Sequence, residues 1–245
     1  MMNSEIAILL AAGLGNRMLP LTKKVAKPLA EVQGVPLIET IISGLQKRNI
    51  GRIYIVTGHL GEQFQYLTAK YSNIELIENK EYLKKNNISS LYAVGDILGS
   101  ANCFICEADL YVADTEIFQQ EHESSCYFGK MVEGYSDDWA FIMEGKRIVR
   151  IKKGAEDTYN LAGISYWYKD DAKLIKDKIE EAYRQKGHEN LFWDEIVDWL
   201  LEEMEVQVHE VSEKSVVELD TVEELKELEE KLNGNKLGEM TDDGK

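Results

Sequence analysis

Apolar, strand-like runs alternate with helical segments over the first 106 residues, and this alternation limits the possible folds more than any other feature of the sequence. Residues 5–11 (EIAILLA) are almost entirely apolar, which is typical of a strand buried on both faces. Later runs of the same character are residues 53–56, 74–77 and 103–106. Helices are predicted after Pro36 and at residues 63–69 and 89–98. Strands and helices at this spacing predict βαβ units around a parallel sheet.

The pattern changes after about residue 124. Short runs of alternating polarity follow at residues 125–130, 139–143, 148–152 and 159–166. Residues 144–146 (EGK) have the composition of a hairpin turn between two of these runs. Predicted helices at 170–185, 190–203 and 221–232, the last with Thr221 as N-cap, accompany predicted strands at 206–211 and 216–219. We therefore expect an α/β fold with a mostly parallel central sheet and an antiparallel or mixed second half.

Charge and cysteine content exclude several classes of function. The chain has 245 residues, with 28 basic and 44 acidic side chains and a formal net charge of −16. Such a protein is repelled by nucleic-acid polymers and by anionic membrane surfaces. The sequence contains no transmembrane run of about 18 apolar residues and no basic start of a signal peptide. Cys103 and Cys106 lie in an apolar run without a second pair at zinc spacing, so we expect reduced core thiols in a cytoplasmic protein.

The loop after the first predicted strand, residues 10–29, carries the strongest functional signal. Gly13 and Gly15 allow backbone amides to approach a phosphate group closely. Four cations and no acid lie between Ile6 and Ala30 in this strongly acidic chain. The spacing fits neither a Walker A loop nor a dinucleotide fingerprint, because the third glycine of the latter is missing. A solvated loop with scattered cations is the alternative interpretation.

This loop resembles the signature of nucleotidyltransferases that make NDP-sugars and CDP-alcohols. The resemblance rests on the ordered set Gly13, Gly15, Arg17, Pro20, Thr22, Lys27 and Pro28. It implies a Rossmann-like, three-layer nucleotidyltransferase fold. It also implies that the glycines wrap a nucleoside triphosphate and that Arg17 and Lys27 neutralise its phosphates as the catalytic cations. Leu10, Ala11 and Ala12 are then expected beside the nucleotide, with the two alanines next to the base.

Five further segments narrow the resemblance to bacterial choline-phosphate cytidylyltransferases, and the related 2-aminoethylphosphonate cytidylyltransferases share much of the pattern. The segments are residues 86–92 (NNISSLY), 107–111 (EADLY), 161–167 (LAGISYW), 191–197 (LFWDEIV) and 217–225 (VELDTVEEL). The resemblance runs over residues 5–232, nearly the full chain. We therefore expect one domain over residues 1–233, with a nucleotide-binding half to about residue 123 and an acceptor-binding half from about residue 124. Residues 234–245 are expected to form a flexible tail.

Two aspartates are the expected ligands of Mg²⁺. Asp109 follows the predicted strand at 103–106, where open α/β sheets bind ligands, although it could instead cap a turn. The resemblance implies a second ligand at Asp194. Asp220 is the alternative, but its position before a predicted helix gives it a separate reason to be acidic. One departure is Glu107, where many relatives carry aspartate; an acidic pair with Asp109 is still present.

The remaining candidates would contact the nucleoside or the acceptor. Asn87 and Ser89 are implied beside the base and ribose, and both could also cap a helix. A choline group cannot donate hydrogen bonds and is best held by aromatic faces. Trp139, Tyr159, Tyr166 and Trp193 are the acceptor-binding candidates, with core packing as the alternative for each.

The expected activity is Mg²⁺-dependent transfer of CMP from CTP to phosphocholine, with release of pyrophosphate. The alternative acceptors, which the sequence does not separate from it, are 2-aminoethylphosphonate, phosphoethanolamine and a sugar-1-phosphate. A non-catalytic nucleotide-binding regulatory protein is the alternative of a different class. The oligomeric state is left open.

Overall fold

The computed structural model describes residues 5–242, with side chains described for residues 5–234. The first half contains β1 (Ile6–Ala11), β2 (Glu31–Val32), β3 (Val35–Pro36), α1 (Leu37–Lys47), β4 (Arg52–Thr57), α2 (Gln65–Lys70), β5 (Ile74–Glu78), α3 (Ile88–Val94), β6 (Cys103–Glu107) and β7 (Leu110–Val112). The second half contains β8 (Ser125–Glu144), β9 (Arg147–Trp167), α4 (Lys169–Ala182), α5 (Trp193–Leu200), β10 (Val206–Glu210), β11 (Val216–Glu218) and α6 (Val222–Asp242).

Seven of these strands form the central sheet, in the order β10-β8-β9-β6-β1-β4-β5. Strands β6, β1, β4 and β5 are parallel neighbours, and β10 is parallel to β8. Strand β9 is antiparallel to both β6 and β8. The mostly parallel sheet with a mixed second half confirms the fold class predicted from the sequence.

Helices cover both faces of this sheet, because the side chains of β1 alternate between two apolar cores. Ala7 and Leu9 pack in one core with the buried side chains of α1 and α2. Ile6 and Ile8 pack in the other core with those of α3, α4 and α5. The three layers therefore follow from a strand with no polar face.

The second half contains two long strands where the sequence predicted four short ones. Strands β8 and β9 are 20 and 21 residues long and form one hairpin, with the predicted turn after Glu144 and a positive φ of 62° at Gly145. Register shifts interrupt the ladder, for example between Val132 and Tyr135. Each bulge breaks the two-residue alternation on which strand prediction depends, so the sequence divides a continuous strand into pieces.

The last helix begins as predicted and extends past the predicted end at residue 232. Thr221 Oγ1 accepts a hydrogen bond from the Glu224 backbone N–H at 3.2 Å, and Glu224 Oε2 accepts one from the Thr221 N–H at 2.8 Å. This reciprocal pair is a capping box that fixes the start of α6. The expected tail overlaps the end of α6, and residues 243–245 lie outside the described part of the chain.

The structure also bears on the cysteines at positions 103 and 106 and on membrane-spanning helices. Cys103 and Cys106 are buried, unpaired thiols in β6, and burial raises the pKa of Cys103 to about 12. Among the helices of residues 5–242, none combines the length and the apolar character that crossing a bilayer requires.

Candidate active site

A cavity of about 360 Å³ lies at the carboxyl ends of the parallel strands β1, β5 and β6. We call it the first cavity. Its lining includes every residue that the sequence predicted to contact the nucleotide, namely Leu10, Ala11, Ala12, Gly13, Gly15, Arg17, Lys27, Asn87 and Ser89. Open α/β sheets bind their ligands at this edge. The topology thus brings the loop after β1 and the start of α3 to one site.

The two glycines of the loop differ in their surroundings. Gly15 has a φ of 62°, and a Cβ there would lie 2.8 Å from Thr22 Cγ2 and 3.0 Å from Lys27 Cβ. Thr22 Oγ1 also donates a hydrogen bond to the Gly15 carbonyl at 2.9 Å. A Cβ on Gly13 would meet none of the described atoms within 4 Å, its chain neighbours aside. Gly15 is therefore required by the packing of the loop, whereas Gly13 leaves open space beside the cavity.

Lys27 is the central cation of the site. Its side chain is 8% exposed, and Nζ lies 2.6 Å from Asp109 Oδ2 and 2.7 Å from Asp220 Oδ1. Burial alone would lower the pKa of Lys27, but the Asp109 and Asp220 carboxylates outweigh burial and raise it. Arg17, which is 68% exposed, binds the other oxygen of Asp220 at 2.5 Å. The loop after β1 therefore contributes two cations, Lys27 and Arg17, to the wall of the first cavity.

Three carboxylates, from Asp109, Glu218 and Asp220, have oxygens within 4.8 Å of one another. Asp109 lies between β6 and β7, while Glu218 ends β11 and Asp220 precedes α6. The Glu218 carboxyl reaches solvent, yet its partial burial and the charges of Asp109 and Asp220 raise its pKa to about 7. Clustered carboxylate oxygens suit a hard divalent cation such as Mg²⁺. Sequence reasoning missed Glu218, and it gave Asp220 mainly a role at the helix start.

Asp194, the expected second metal ligand, lies near the start of α5 and is 2% exposed. Tyr127 Oη donates a hydrogen bond to its Oδ1 at 3.0 Å. Burial raises the pKa of Asp194 to about 7 despite that hydrogen bond. Among the described residues it does not belong to the cluster of Asp109, Glu218 and Asp220, but it lines a neighbouring cavity together with Asp109.

That neighbouring cavity, the second cavity, has a volume of about 740 Å³. It shares Arg17, Glu107 and Asp109 with the first cavity, so one cation of the loop and two carboxylates lie where the two spaces meet. Burial, followed by the charges of Asp109 and Glu218, raises the pKa of Glu107. Beyond this junction the wall is formed by strands β8 and β9 and the start of α5, and includes Lys130, Asp137, Asp138, Trp139, Lys153 and Phe192. One ligand in each cavity would meet the other at the junction.

The structure places the predicted acceptor-binding aromatic residues in different surroundings, and only some of them line a cavity. Trp139 lines the second cavity and packs edge-on against Phe192 at 5.4 Å between ring centroids. Trp193 is 4% exposed and stacks on Tyr127 in the core, although its ring borders a small void near Glu107. Tyr159 donates a hydrogen bond to Glu210 at 2.9 Å and lines neither cavity.

The structure corrects the expectation for Tyr166. Its ring pairs with Phe104 of β6 and lies in the core, and Oη donates a hydrogen bond to Glu5 Oε1 at 2.7 Å. Glu5 immediately precedes β1, so Tyr166 lies at the amino end of the parallel strands. The two cavities lie at the opposite edge. Sequence reasoning failed here because alternation gives the face of a strand but not the distance along it.

The polar wall of the first cavity contains residues that the sequence did not single out. Asn79, directly after β5, donates hydrogen bonds to Ser89 Oγ at 2.9 Å and Ser90 Oγ at 3.2 Å. Asn87 Oδ1 accepts from the Trp193 backbone N–H at 3.0 Å, so this side chain links the cavity wall to the start of α5. Tyr82 and Lys85 complete this wall. The position of Asn79 at the carboxyl end of a predicted parallel strand was a usable signal.

Comparisons with known proteins show the family to which the chain belongs. Residues 7–130 match the family model of the MobA-like NTP transferase domain. The chain is 48% identical over 220 residues to a 2-aminoethylphosphonate cytidylyltransferase of Lancefieldella rimae, covering 89% of each chain. It is 36% identical over 228 residues to a choline-phosphate cytidylyltransferase of Streptococcus pneumoniae, covering 92% of this chain and 97% of that one.

The solved structure of the CTP:phosphocholine cytidylyltransferase from Streptococcus pneumoniae matches with a TM-score of 0.86 at 34% identity, covering 94% of this chain and 100% of that one. The chain is therefore a nucleotidyltransferase of the MobA-like NTP transferase family, and the two relatives compared above, from Lancefieldella rimae and Streptococcus pneumoniae, are cytidylyltransferases.

Proposed function

We propose that this enzyme transfers CMP from CTP to 2-aminoethylphosphonate, forming the mixed anhydride of CMP and the phosphonate and releasing pyrophosphate. The observation that carries this choice of acceptor is the acid-rich wall of the second cavity, which Asp137, Asp138, Asp194 and Glu213 line together with the aromatic pair of Trp139 and Phe192. A primary ammonium binds well to carboxylates, whereas a quaternary ammonium needs aromatic faces. The 48% identity to a 2-aminoethylphosphonate cytidylyltransferase over 89% of the chain supports the same choice.

The residues of the first cavity are suited to holding a nucleoside triphosphate. Open space at Gly13 lets phosphate oxygens approach the backbone, while Lys27 and Arg17 supply positive charge. An oxygen of the acceptor phosphonate forms a bond to the α-phosphorus, the bond to the bridging oxygen breaks, and pyrophosphate leaves with the electron pair. The phosphonate is already ionised near neutral pH, so no general base is required. Catalysis then consists of positioning and charge stabilisation at the junction of the cavities.

The acids at the junction fit Mg²⁺, which prefers one or two carboxylates together with phosphate oxygens and water. When bound, Mg²⁺ would neutralise charge on the triphosphate. Asp109 is the proposed first ligand. For the second ligand Asp194 has the advantage, because both oxygens of Asp220 are engaged by Lys27 and Arg17 whereas the described side-chain bond of Asp194 uses Oδ1 alone. Asp220 and Glu218 would then hold the cations of the loop.

Phosphocholine is the second candidate acceptor. The match to the phosphocholine enzyme of Streptococcus pneumoniae, at a TM-score of 0.86, favours it, as does the pair of Trp139 and Phe192 in the second cavity. Both acceptors attack through an ionised oxygen on phosphorus. They differ in the atom that links the phosphorus to the chain, carbon in the phosphonate and oxygen in phosphocholine, and in the amine end. The amine ends differ most in chemistry, so the wall of the second cavity is the main determinant proposed for the choice between them.

The test is to incubate the purified protein with CTP, Mg²⁺ and one acceptor at a time. The acceptors are 2-aminoethylphosphonate, phosphocholine, phosphoethanolamine and a sugar-1-phosphate. We expect pyrophosphate release and the matching anhydride of CMP with the acceptor, identified by mass spectrometry, with the highest kcat/KM for 2-aminoethylphosphonate. Turnover should stop on chelation of Mg²⁺ and fall by at least a hundredfold in Lys27→Ala. A higher kcat/KM for phosphocholine would overturn the acceptor assignment, and absence of pyrophosphate with every acceptor would favour the regulatory alternative.

A further inference from the structure

Lys153 occupies the aromatic corner of the second cavity. It stands directly opposite Trp139 in the ladder between β8 and β9. Its Nζ lies 5.5 Å from the centroid of the Trp139 ring and 5.3 Å from that of Phe192. The two rings are inclined at 65° to each other, so the ammonium sits in the angle that they form. All three residues line the second cavity.

This corner is the aromatic surface best suited to a quaternary ammonium among the described walls of the second cavity. A trimethylammonium group has no N–H and depends on ring faces for its binding. A lysine ammonium that already lies on both faces blocks them and repels a second cation. A primary ammonium has another option, because Asp137 and Asp138 of the same cavity can accept its hydrogen bonds.

We propose that Lys153 is a specificity-determining residue that discriminates against quaternary ammonium acceptors by occupying the corner between Trp139 and Phe192. This inference rests on the proposed function, since it concerns the acceptor of that reaction. It predicts that the preference for 2-aminoethylphosphonate over phosphocholine is set in part by an internal cation rather than by missing aromatic residues.

The chain offers a matched control in Lys152. This lysine is the preceding residue, is exposed, and pairs with Ala140 in the ladder, yet it does not line the second cavity. Lys153→Met and Lys152→Met remove the same charge from adjacent positions and retain most of the alkyl chain. Lys153→Arg retains the cation over the rings. Any effect of net charge or of strand stability is therefore common to both methionine variants.

The experiment measures kcat and KM for phosphocholine and 2-aminoethylphosphonate, and the Kd of phosphocholine by calorimetry with the protein saturated by a non-hydrolysable CTP analogue. In Lys153→Met we expect the ratio of kcat/KM for phosphocholine over 2-aminoethylphosphonate to rise about threefold to thirtyfold, which is the range of cation–π contributions. The change should lie in the KM of phosphocholine rather than in kcat. Lys152→Met and Lys153→Arg should keep the wild-type ratio.

An unchanged ratio in Lys153→Met would overturn the inference. A raised KM for both acceptors would also overturn it, because Lys153 would then bind the phosphonate or phosphate that they share. The calorimetric arm separates this inference from the proposed function. If no acceptor is turned over but Lys153→Met tightens phosphocholine binding, the role of Lys153 stands and the proposed reaction fails.

Discussion

Gly13 and Gly15 carry different constraints, although the sequence presents them as one motif. Gly15 has a left-handed backbone, and a Cβ there would lie 3.0 Å or less from side-chain atoms of Thr22 and Lys27, while Gly13 borders open space. In Gly15→Ala we expect a loss of about 1–3 kcal/mol in the free energy of unfolding, from backbone strain and from displacement of Thr22. Gly13→Ala should unfold like the wild type but raise the KM for CTP, because its methyl group would project into the space proposed for phosphate.

Denaturant unfolding and steady-state kinetics of the two variants test this distinction. Gly13→Ser serves as a second probe, since it adds volume at the same place. An unaltered KM for CTP in both Gly13 variants would contradict the proposed approach of phosphate to this part of the loop.

At the residue scale, sequence reasoning grouped side chains that the structure brings together where the motif is continuous. The loop from Leu10 to Lys27 contacts one cavity because its residues follow one strand end. The ion pair between Lys27 and Asp220 joins residues 193 positions apart, and no sequence pattern around Asp220 predicts it. The helix after Asp220 offered a sufficient local reason for an acid, so the longer-range reason could not be inferred without the fold.

At the scale of elements, the capping box of α6 connects helix stability to the site. Glu224 Oε2 accepts the backbone N–H of Asp220 at 2.7 Å as well as that of Thr221 at 2.8 Å. Asp220, whose carboxylate pairs with Lys27 and Arg17, is thus held at the first turn of α6 by the hydrogen bond from its backbone N–H. Thr221→Ala should lower the free energy of unfolding by about 1 kcal/mol through loss of the cap. A chain of this length should then show a melting temperature lower by about 2–4 °C.

Thermal unfolding of Thr221→Ala beside Thr221→Ser provides the measurement, because serine retains the hydroxyl that caps the helix. Equal melting temperatures for the alanine variant and the wild type would show that the cap observed here does not stabilise α6.

Element types were more predictable than element lengths. The parallel strands were found because they are short, apolar and separated by helices. The hairpin of β8 and β9 was divided into pieces because bulges and a partly exposed middle section interrupt its alternation. The position of Trp139, Lys153 and Phe192 around one corner depends on that register. It could not be predicted from the sequence for the same reason.

At the scale of the molecule, the net charge of −16 coexists with a cationic loop at an otherwise acidic site. Arg17 and Lys27 come from the segment without acids, and the fold adds Lys130 and Lys153 from the second half. Asp109 and Asp220 pair with the cations of the loop, and other acids line the space proposed for Mg²⁺ and an amine. The net charge of the chain therefore disfavours the binding of long polyanions, but it does not disfavour the binding of a single nucleotide together with a divalent cation.

The sheet separates the site from a polar cluster at its other edge, and Tyr166 tests that separation. Tyr166 Oη donates to Glu5 Oε1 and accepts a hydrogen bond from Asn102 Nδ2 at 3.2 Å, while Glu5 binds Arg48 at 2.8 Å. Tyr166→Phe removes the hydroxyl and leaves the ring in the core. We expect a loss of about 1–3 kcal/mol in the free energy of unfolding, because a charged acceptor loses a buried donor.

The same variant should retain the wild-type kcat/KM for every acceptor, since the hydroxyl lies at the amino ends of the parallel strands and the cavities lie at their carboxyl ends. Trp139→Ala is the comparison, because its ring lines the second cavity and its loss should alter acceptor kinetics. Denaturant unfolding and acceptor kinetics measured on both variants provide the test. A selective rise in the KM of either acceptor in Tyr166→Phe would indicate that this tyrosine contributes to acceptor binding. It would contradict the separation of the polar cluster at the amino ends of the strands from the cavities at their carboxyl ends.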